Sequence, residues 1–210
     1  MPAPIQFILV IVGAYLIGAI PSGLIIGRVL GRDPMKSGSG KTGANNTFQT
    51  AGPAAGAAVL VLDLLKGFVV VVLTGLVGWP NDTWAGLAVG AAGAAAIIGH
   101  NWSVWVRLFA GKWGGGRGIM TAFGAVLTVS IWVGLAALVV GGIVLFATRY
   151  MVWAVIVGAI AGIATAIVLG FTGLMPVWLV PGAIVWCLLV IVGFHDNIER
   201  LLSGTEPKIG

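Results

Sequence analysis

Charge is scarce in this sequence: 8% of its 210 residues are Asp, Glu, Lys or Arg, while 59% are hydrophobic. A water-soluble domain needs roughly a quarter of its residues charged to keep its surface wet. With a mean hydropathy of +1.10, this chain cannot cover itself with polar groups, so its outer surface must meet lipid. Cysteine is almost missing too. The single thiol, Cys187, sits in an apolar run, which excludes a disulfide framework. Two histidines, His100 and His195, with no CxxC or HExxH pattern, provide no metal site. No basic stretch precedes the first apolar run, so residues 1–28 read as a spanning helix and not as a cleaved leader.

Glycine, by contrast, is plentiful at 34 residues, most of them inside long apolar runs. Small residues there let membrane helices approach closely, which replaces the hydrophobic drive that lipid removes. A single membrane domain over residues 1–210 is expected. A helix needs about 20 apolar residues to cross ~30 Å of hydrocarbon. Residues 5–26, 53–77, 84–98, 151–169 and 176–194 fit that requirement, the third being a little short. The uncharged stretch 118–148 would be about 45 Å long as one helix.

Basic residues decide how that stretch folds, because Lys and Arg gather in cytoplasmic loops. Placing Arg28, Arg32, Lys36 and Lys41 inside puts residues 79–83 outside and Arg107, Lys112 and Arg117 inside again. Arg149 is then inside only if 118–148 crosses twice, turning near Ser130. The last pair turns outside at 171–175 and returns to Arg200 and Lys208. The expectation is an all-α integral membrane protein with seven transmembrane helices, N-terminus outside and C-terminus cytoplasmic. The net charge of +5 then belongs to one face, where it can meet anionic headgroups or an anionic substrate. Obedience to the positive-inside rule alone explains much of this bias. Nucleic acid is not an expected partner despite a pI near 9.9, since the cations are dispersed in short loops against a bilayer.

Three inner-face segments carry candidate chemistry. Residues 36–47 combine glycines with Ser37, Ser39, Lys41, Thr42, Asn45 and Asn46, so backbone and neutral side-chain donors can approach an anion. The GKT at 40–42 is not a P-loop, because the GxxxxGK[ST] spacing and the preceding strand are missing. A flexible interhelical loop is the plain alternative. Next come Gly99, His100, Asn101 and Trp102, followed by Lys112 and the run Gly114, Gly115, Gly116, Arg117, Gly118. Glycines between two cations, just before a helix, make an anion cradle; alternatively His100 is a satisfied structural residue. The tail from His195 to Lys208 places Ile198, Leu201 and Leu202 at helical spacing and reads as an interfacial amphipathic helix, or simply a structural one. Asp63 and Lys66 lie one turn apart in the second span, a spacing that permits a self-contained ion pair with a structural or supporting role.

Together these segments resemble the bacterial acyl-phosphate:glycerol-3-phosphate acyltransferases, the PlsY family, along nearly the whole chain. The likeness rests on GAIPSG at 18–23, GSGKTGANNT at 38–47, DLLKG at 63–67, GHNW at 99–102, GGRG at 115–118, TRY at 148–150 and the ending NIERLLSGTEPKIG. The resemblance implies seven spans and transfer of an acyl group from acyl-phosphate to the 1-hydroxyl of glycerol 3-phosphate. The products would be lysophosphatidic acid and phosphate, the first step of phospholipid synthesis. It implies no cofactor, no metal and no protein nucleophile, with the acceptor's own phosphate as a proposed base; the sequence indeed has no GxSxG elbow. By motif position it implies His100, Arg117 and Asn197 as catalytic residues. Ser37, Ser39, Gly40, Asn46, Lys112, Gly115, Gly116, His195 and Glu206 would bind substrate. Acyl-phosphate, glycerol 3-phosphate and membrane lipids are the expected partners of a monomer in the bacterial inner membrane, its active site on the cytoplasmic face.

Several positions depart from the family pattern. Lys41 replaces an asparagine, Asn45 a threonine and Gln49 an arginine. Arg117 stands for a lysine, which keeps charge but not reach or hydration. The loop around 108–113 is lengthened, Met151, Val152 and Trp153 replace a serine-rich turn, and His195 is two residues before Asn197 where three are usual. The changes at Gln49 and Met151 favour a rival reading, a non-catalytic or repurposed member acting as a membrane transporter or a lipid- or phosphate-binding protein. A third reading is an acyltransferase with another phosphorylated donor or acceptor. The retained GSG, GH and GG-Arg-G segments and the tail favour an enzyme.

Overall fold

The computed structural model describes residues 2–209, so Met1 and Gly210, the ends of the expected domain, lie outside the described residues. The described chain is helical throughout. In order it forms α1 (Ala3–Gly18), α2 (Ser22–Val29), α3 (Ala44–Ala51), α4 (Pro53–Leu76), α5 (Asp82–Asn101) and α6 (Val104–Ala110). It continues with α7 (Ile119–Val129), α8 (Ile131–Thr148), α9 (Met151–Phe171), a 3₁₀ turn (Val177–Leu179), α10 (Val180–Gly193) and α11 (His195–Leu202).

Local chemistry sets the boundaries. Pro21, which lacks an N–H, separates α1 from α2. Asn81, Ser103 and Ser130 each accept a hydrogen bond from the first turn of the helix that follows, starting α5, α6 and α8. The last of these breaks the uncharged stretch at Ser130, where a turn was expected. Five helical segments are long and apolar enough to cross a membrane, and a sixth follows if α10 and α11, bent by 55°, count as one span. The remaining expected crossing falls on α7, whose 11 residues cover ~16 Å.

Large apolar side chains cover the outside: Ile8 on α1, Leu73 on α4, Ile143 and Phe146 on α8 and Ile160 on α9 are all exposed. Such a surface is stable only against lipid. Inside, Trp186 and Phe194 of the α10 region pack with Ile97, Val126 and Val155. Helices without a hydrophobic drive between them need close backbones, and α4 meets α7 through glycine. A Cβ on Gly67 would strike the Thr121 carbonyl, and one on Gly124 the Leu64 carbonyl.

The bundle has two unlike ends. At one, Gln6 donates to the Gly78 carbonyl and Phe7 lies edge-on to Trp79 and Trp84, an aromatic rim with no Lys or Arg among the residues named. At the other, the loops after α2 and α6 and the C-terminal tail come together, bringing Lys41, Arg117, Arg149 and Arg200 to the same end.

Candidate functional site

The loop between α2 and α3 is held in shape by one side chain. Asn46, buried at the start of α3, donates to the carbonyls of Pro34 (2.7 Å), Lys41 (2.8 Å) and Ser37 (3.3 Å) and accepts from the Ser39 amide (2.8 Å). Its amide is fully used, so it shapes the loop on which the neighbouring groups stand. The Thr42 amide then donates to the Gly115 carbonyl, and Gly116 and Ser103 donate to the carbonyls of His100 and Gly114. These bonds stitch the first loop, the end of α5 and the glycine loop into one layer.

Two helices start in that layer with glycine at the N-cap, Gly43 for α3 and Gly118 for α7, and neither has a side-chain cap. The amides of residues 44–46 and 119–121 therefore have no intrahelical acceptor, and they give this end a positive dipole. Both starts border one cavity of about 600 Å³. Its polar wall is Lys41, Asn45, Asn46, Asp63, His100, Gly116 and Arg117, and its apolar wall includes Phe48, Leu60, Met120, Leu138 and Met151. Ile119, Met120, Leu138 and Met151 also border a second space of about 220 Å³ between α7, α8, α9 and α10, lined almost wholly by apolar side chains. The cavity wall thus combines cations and uncapped helix starts with apolar side chains that it shares with the second, apolar space.

Arg117 has spare capacity at the polar end. Its guanidinium carbon lies 5.3 Å from the centre of the Phe194 ring, and its Nε is buried without a partner. Burial, and next the charge of Arg200, push this guanidinium down from its ordinary value, while Glu206 and Asp196 act the other way. An arginine remains a cation at neutral pH all the same. The Asn101 amide and one oxygen of Asn197 are also buried and unpartnered. Lys41, half-buried, pairs with Asp196 at 3.1 Å.

The tail closes the layer from below. Glu206 accepts from the Asn197 amide (2.6 Å) and from Arg200 Nε (2.8 Å). Ile209 and Arg149 exchange two hydrogen bonds, holding Arg149 in its left-handed conformation (φ 62°). Lys208 sits over the Tyr150 ring. At the opposite wall Asp63 and Lys66 form the ion pair expected from their spacing, at 2.6 Å, and Lys66 also donates to the Ile20 carbonyl.

A family model of glycerol-3-phosphate acyltransferases matches residues 8–204. The chain belongs to this family. It is 38% identical over 205 residues to a glycerol-3-phosphate acyltransferase of Syntrophotalea carbinolica, with 97% of each chain covered. To that of Synechocystis sp. it is 35% identical over 215 residues, covering 93% of this chain and 87% of the other. Among solved structures it is similar to PlsY, an integral membrane glycerol 3-phosphate acyltransferase, in its glycerol 3-phosphate form. There the TM-score is 0.81 at 30% identity, covering 98% of this chain and 96% of the other. The lysophosphatidic acid form of that enzyme gives a TM-score of 0.78.

Of the positions that the family motifs single out, Asn46, His100, Gly116 and Arg117 border the cavity. Gly115 lies just behind, its carbonyl bonded to Thr42. Asn197 and Glu206 are buried in the tail network. Ser37 faces a separate open concavity beside Arg32 and Lys36, and Ser39 and Gly40 border neither space. Lys112 is exposed on the lengthened loop, and His195 is exposed with its Nε2 2.6 Å from Asp196. Three polar cavity residues lie within the motif segments but were assigned no site role from sequence: Lys41, Asn45 and Asp63. For Asp63 the signal was its charge at membrane depth, which marks function as often as structure.

Proposed function

We propose that the 600 Å³ cavity is the active site at which an acyl group passes from acyl-phosphate to the 1-hydroxyl of glycerol 3-phosphate, giving lysophosphatidic acid and phosphate. The observation that carries this reading is the meeting of two uncapped helix starts with Lys41 and Arg117 at one end of a space whose other end is apolar. Two phosphorylated substrates need two anion sites, and each N-terminus with its cation can serve one. The acyl tail fits the apolar end, where Leu138 and Met151 lead on to the space between α7 and α10.

An acyl-phosphate is already activated, so holding the hydroxyl against its carbonyl carbon and stabilising the charge that develops there can supply most of the rate. In this reading His100 and Arg117 touch the reacting groups from the cavity wall, and Asn197 reaches them with its free oxygen. Gly115 and Gly116 bring backbone close to phosphate, and Asn46 and Glu206 support the site through the bonds they make. Ser37, Ser39, Gly40, Lys112 and His195 guide substrate in from the surface. The protein is read as a monomer. The cationic end faces the cytoplasm of a bacterial inner membrane, with seven crossings, α7 being the shortest, and an outer N-terminus.

The test is phosphate release by the purified protein in lipid, supplied with palmitoyl-phosphate and glycerol 3-phosphate. Release that requires both substrates, with an equal amount of lysophosphatidic acid, is the expected result. Release without acylated product would overturn the reading.

A further inference from the structure

α7 ends early. Its 11 residues stop at Val129, Ser130 caps α8, and the chain turns back on itself. Two helices joined by so short a turn cannot part at the joined end, so the apolar space beside them closes there. The packing agrees. α8 comes against α7 at Gly134, where a Cβ would strike Leu127 and crowd Phe123. It meets α9 just as closely, since a Cβ on Gly141 would strike the Ala154 carbonyl and one on Gly158 the Ala137 carbonyl. Towards the turn, a Cβ on Gly162 of α9 would lie 3.4 Å from Cys187 Sγ, 3.5 Å from Ala137 Cβ and 3.7 Å from Val133 Cγ1. Three helices converge at that point.

The space of about 220 Å³ between α7, α8, α9 and α10 is therefore blind at one end. At the other it is continuous with the cavity through Ile119, Met120, Leu138 and Met151, which line both. Its lining is aliphatic apart from Phe123, the Met120 and Met151 thioethers and the Cys187 thiol, which suits a hydrocarbon tail and not a headgroup. Its floor is Val133, the residue capped by the turn, with Ala159 and Cys187. Val133 is fully buried, and the other two are nearly so. From Met151 to Ala159 the wall of α9 is about 12 Å long. One leaflet of a bilayer is half of ~30 Å of hydrocarbon. A tail of leaflet length with its head at Arg117 would spend its first carbons in the cavity and its last ones at this floor.

We propose that Val133, Ala159 and Cys187 form a stop for the last methyl of the acyl donor, so that the turn at Ser130 sets the longest acyl chain the enzyme transfers. The inference rests on the acyltransferase reading and deepens it by naming the substrate class, acyl-phosphates whose tails are no longer than one leaflet. A longer tail must fold back on itself or leave sideways past Leu138, which is exposed on the lipid face of α8.

Acyl-phosphates of different length test this on the full chain in lipid, with glycerol 3-phosphate as acceptor and lysophosphatidic acid as the readout. Ala159→Leu raises the floor. It should lower kcat/KM for palmitoyl-phosphate at least about tenfold, while decanoyl-phosphate, too short to reach the floor, stays within about twofold of the parent. Val133→Ala deepens the floor and should raise kcat/KM for eicosanoyl-phosphate relative to palmitoyl-phosphate about tenfold. Decanoyl turnover reports in the same assay that a variant is folded. If Ala159→Leu loses that turnover too, Cys187→Leu, which raises the floor from α10, must give the selective loss. Unchanged palmitoyl turnover in the filled variants would overturn the proposal, because the tail would then be leaving into lipid past Leu138. So would a loss of both chains together in both filled variants, or a length profile that Val133→Ala leaves where it was. Absence of turnover by the unmutated protein with every chain would instead overturn the acyltransferase reading beneath it.

Discussion

Two sets of helix starts in this protein differ in how they are closed. Those of α5, α6 and α8 are closed by the side chains of Asn81, Ser103 and Ser130, the residues that helices prefer at this position. Those of α3 and α7 begin at Gly43 and Gly118 and are closed by no side chain. All the starts carry the same unpaired amides, so the difference lies in what is left over for something else. The capped starts use their donors on the chain itself. The starts of α3 and α7 leave theirs free, and both border the cavity, beside Lys41 and Arg117. The same division separates Asn46, whose amide is exhausted on its own loop, from Arg117, whose Nε is buried without a partner. Groups that are satisfied hold shape, and groups that are not are available to a ligand.

The largest effect should come from removing the free cation. Arg117→Ala is expected to lower kcat/KM for lysophosphatidic acid formation by a thousandfold or more, on the order of 4 kcal/mol of transition-state stabilisation. The thermal transition should stay close to that of the parent, since no hydrogen bond of the fold is lost. A variant that folds and keeps full activity would remove Arg117 from the site. The next largest effect should come from closing an open start. Gly43 has ordinary extended geometry (φ −83°), and a Cβ there would meet nothing nearer than Gly116 Cα at 3.8 Å. Gly43→Asp can therefore cap α3 with its own carboxylate, in the place assigned to a substrate phosphate. Stability should hold or rise by a few tenths of a kcal/mol, while KM for one substrate rises at least tenfold. Unchanged kinetics would show that the start of α3 binds no anion.

Much of this arrangement was legible in the sequence, for physical reasons that also mark the limit. Apolar runs of spanning length follow from the cost of burying charge in lipid, so five of the spans and the break at Ser130 could be read directly. The short α2 follows from Pro21 and α6 from its Ser103 cap, signals too brief to stand out inside apolar or glycine-rich stretches, and α3 starts at an uncapped glycine. Of the motif positions, His100, Gly116 and Arg117 border the cavity. Motif position gave no account of side-chain direction: Asn46, expected to bind substrate, borders the cavity while its amide bonds to its own loop. Spacing along α4 revealed the Asp63–Lys66 pair, but only the packing of α4 against α5 brings Asp63 to His100. Lys112, a cation in the right loop, proved to stand exposed on the lengthened segment.

A smaller effect is expected at a capped start. Ser103 Oγ accepts from Val106 and donates to the Ala19 carbonyl, fully buried. Ser103→Ala removes both bonds and should destabilise the protein by about 1–3 kcal/mol, read as a lower midpoint of thermal unfolding in lipid. Below that midpoint kcat and KM should match the parent. A large rise in KM would mean that this start too serves the ligand, and the division between the two groups would fail.

The smallest effect belongs to the surface link between Lys41 and Asp196. Burial tends to raise the Asp196 carboxyl, but the hydrogen bond and charge of Lys41, with His195 and Arg117, outweigh it and hold the group below its ordinary value. A carboxyl whose pKa falls on folding contributes stability above its unfolded value of about 3.9, and that contribution is lost as pH drops through the folded value. The pair is partly exposed, so its worth is under about 1 kcal/mol. Asp196→Asn should therefore lower the thermal midpoint slightly at pH 7 and not at all at a pH below both the unfolded and the folded value, where the parent carboxyl is protonated as well. Equal destabilisation at both pH values would mean that the position acts by packing and not by charge. Lys41 would then be free to face the cavity, as unencumbered as Arg117.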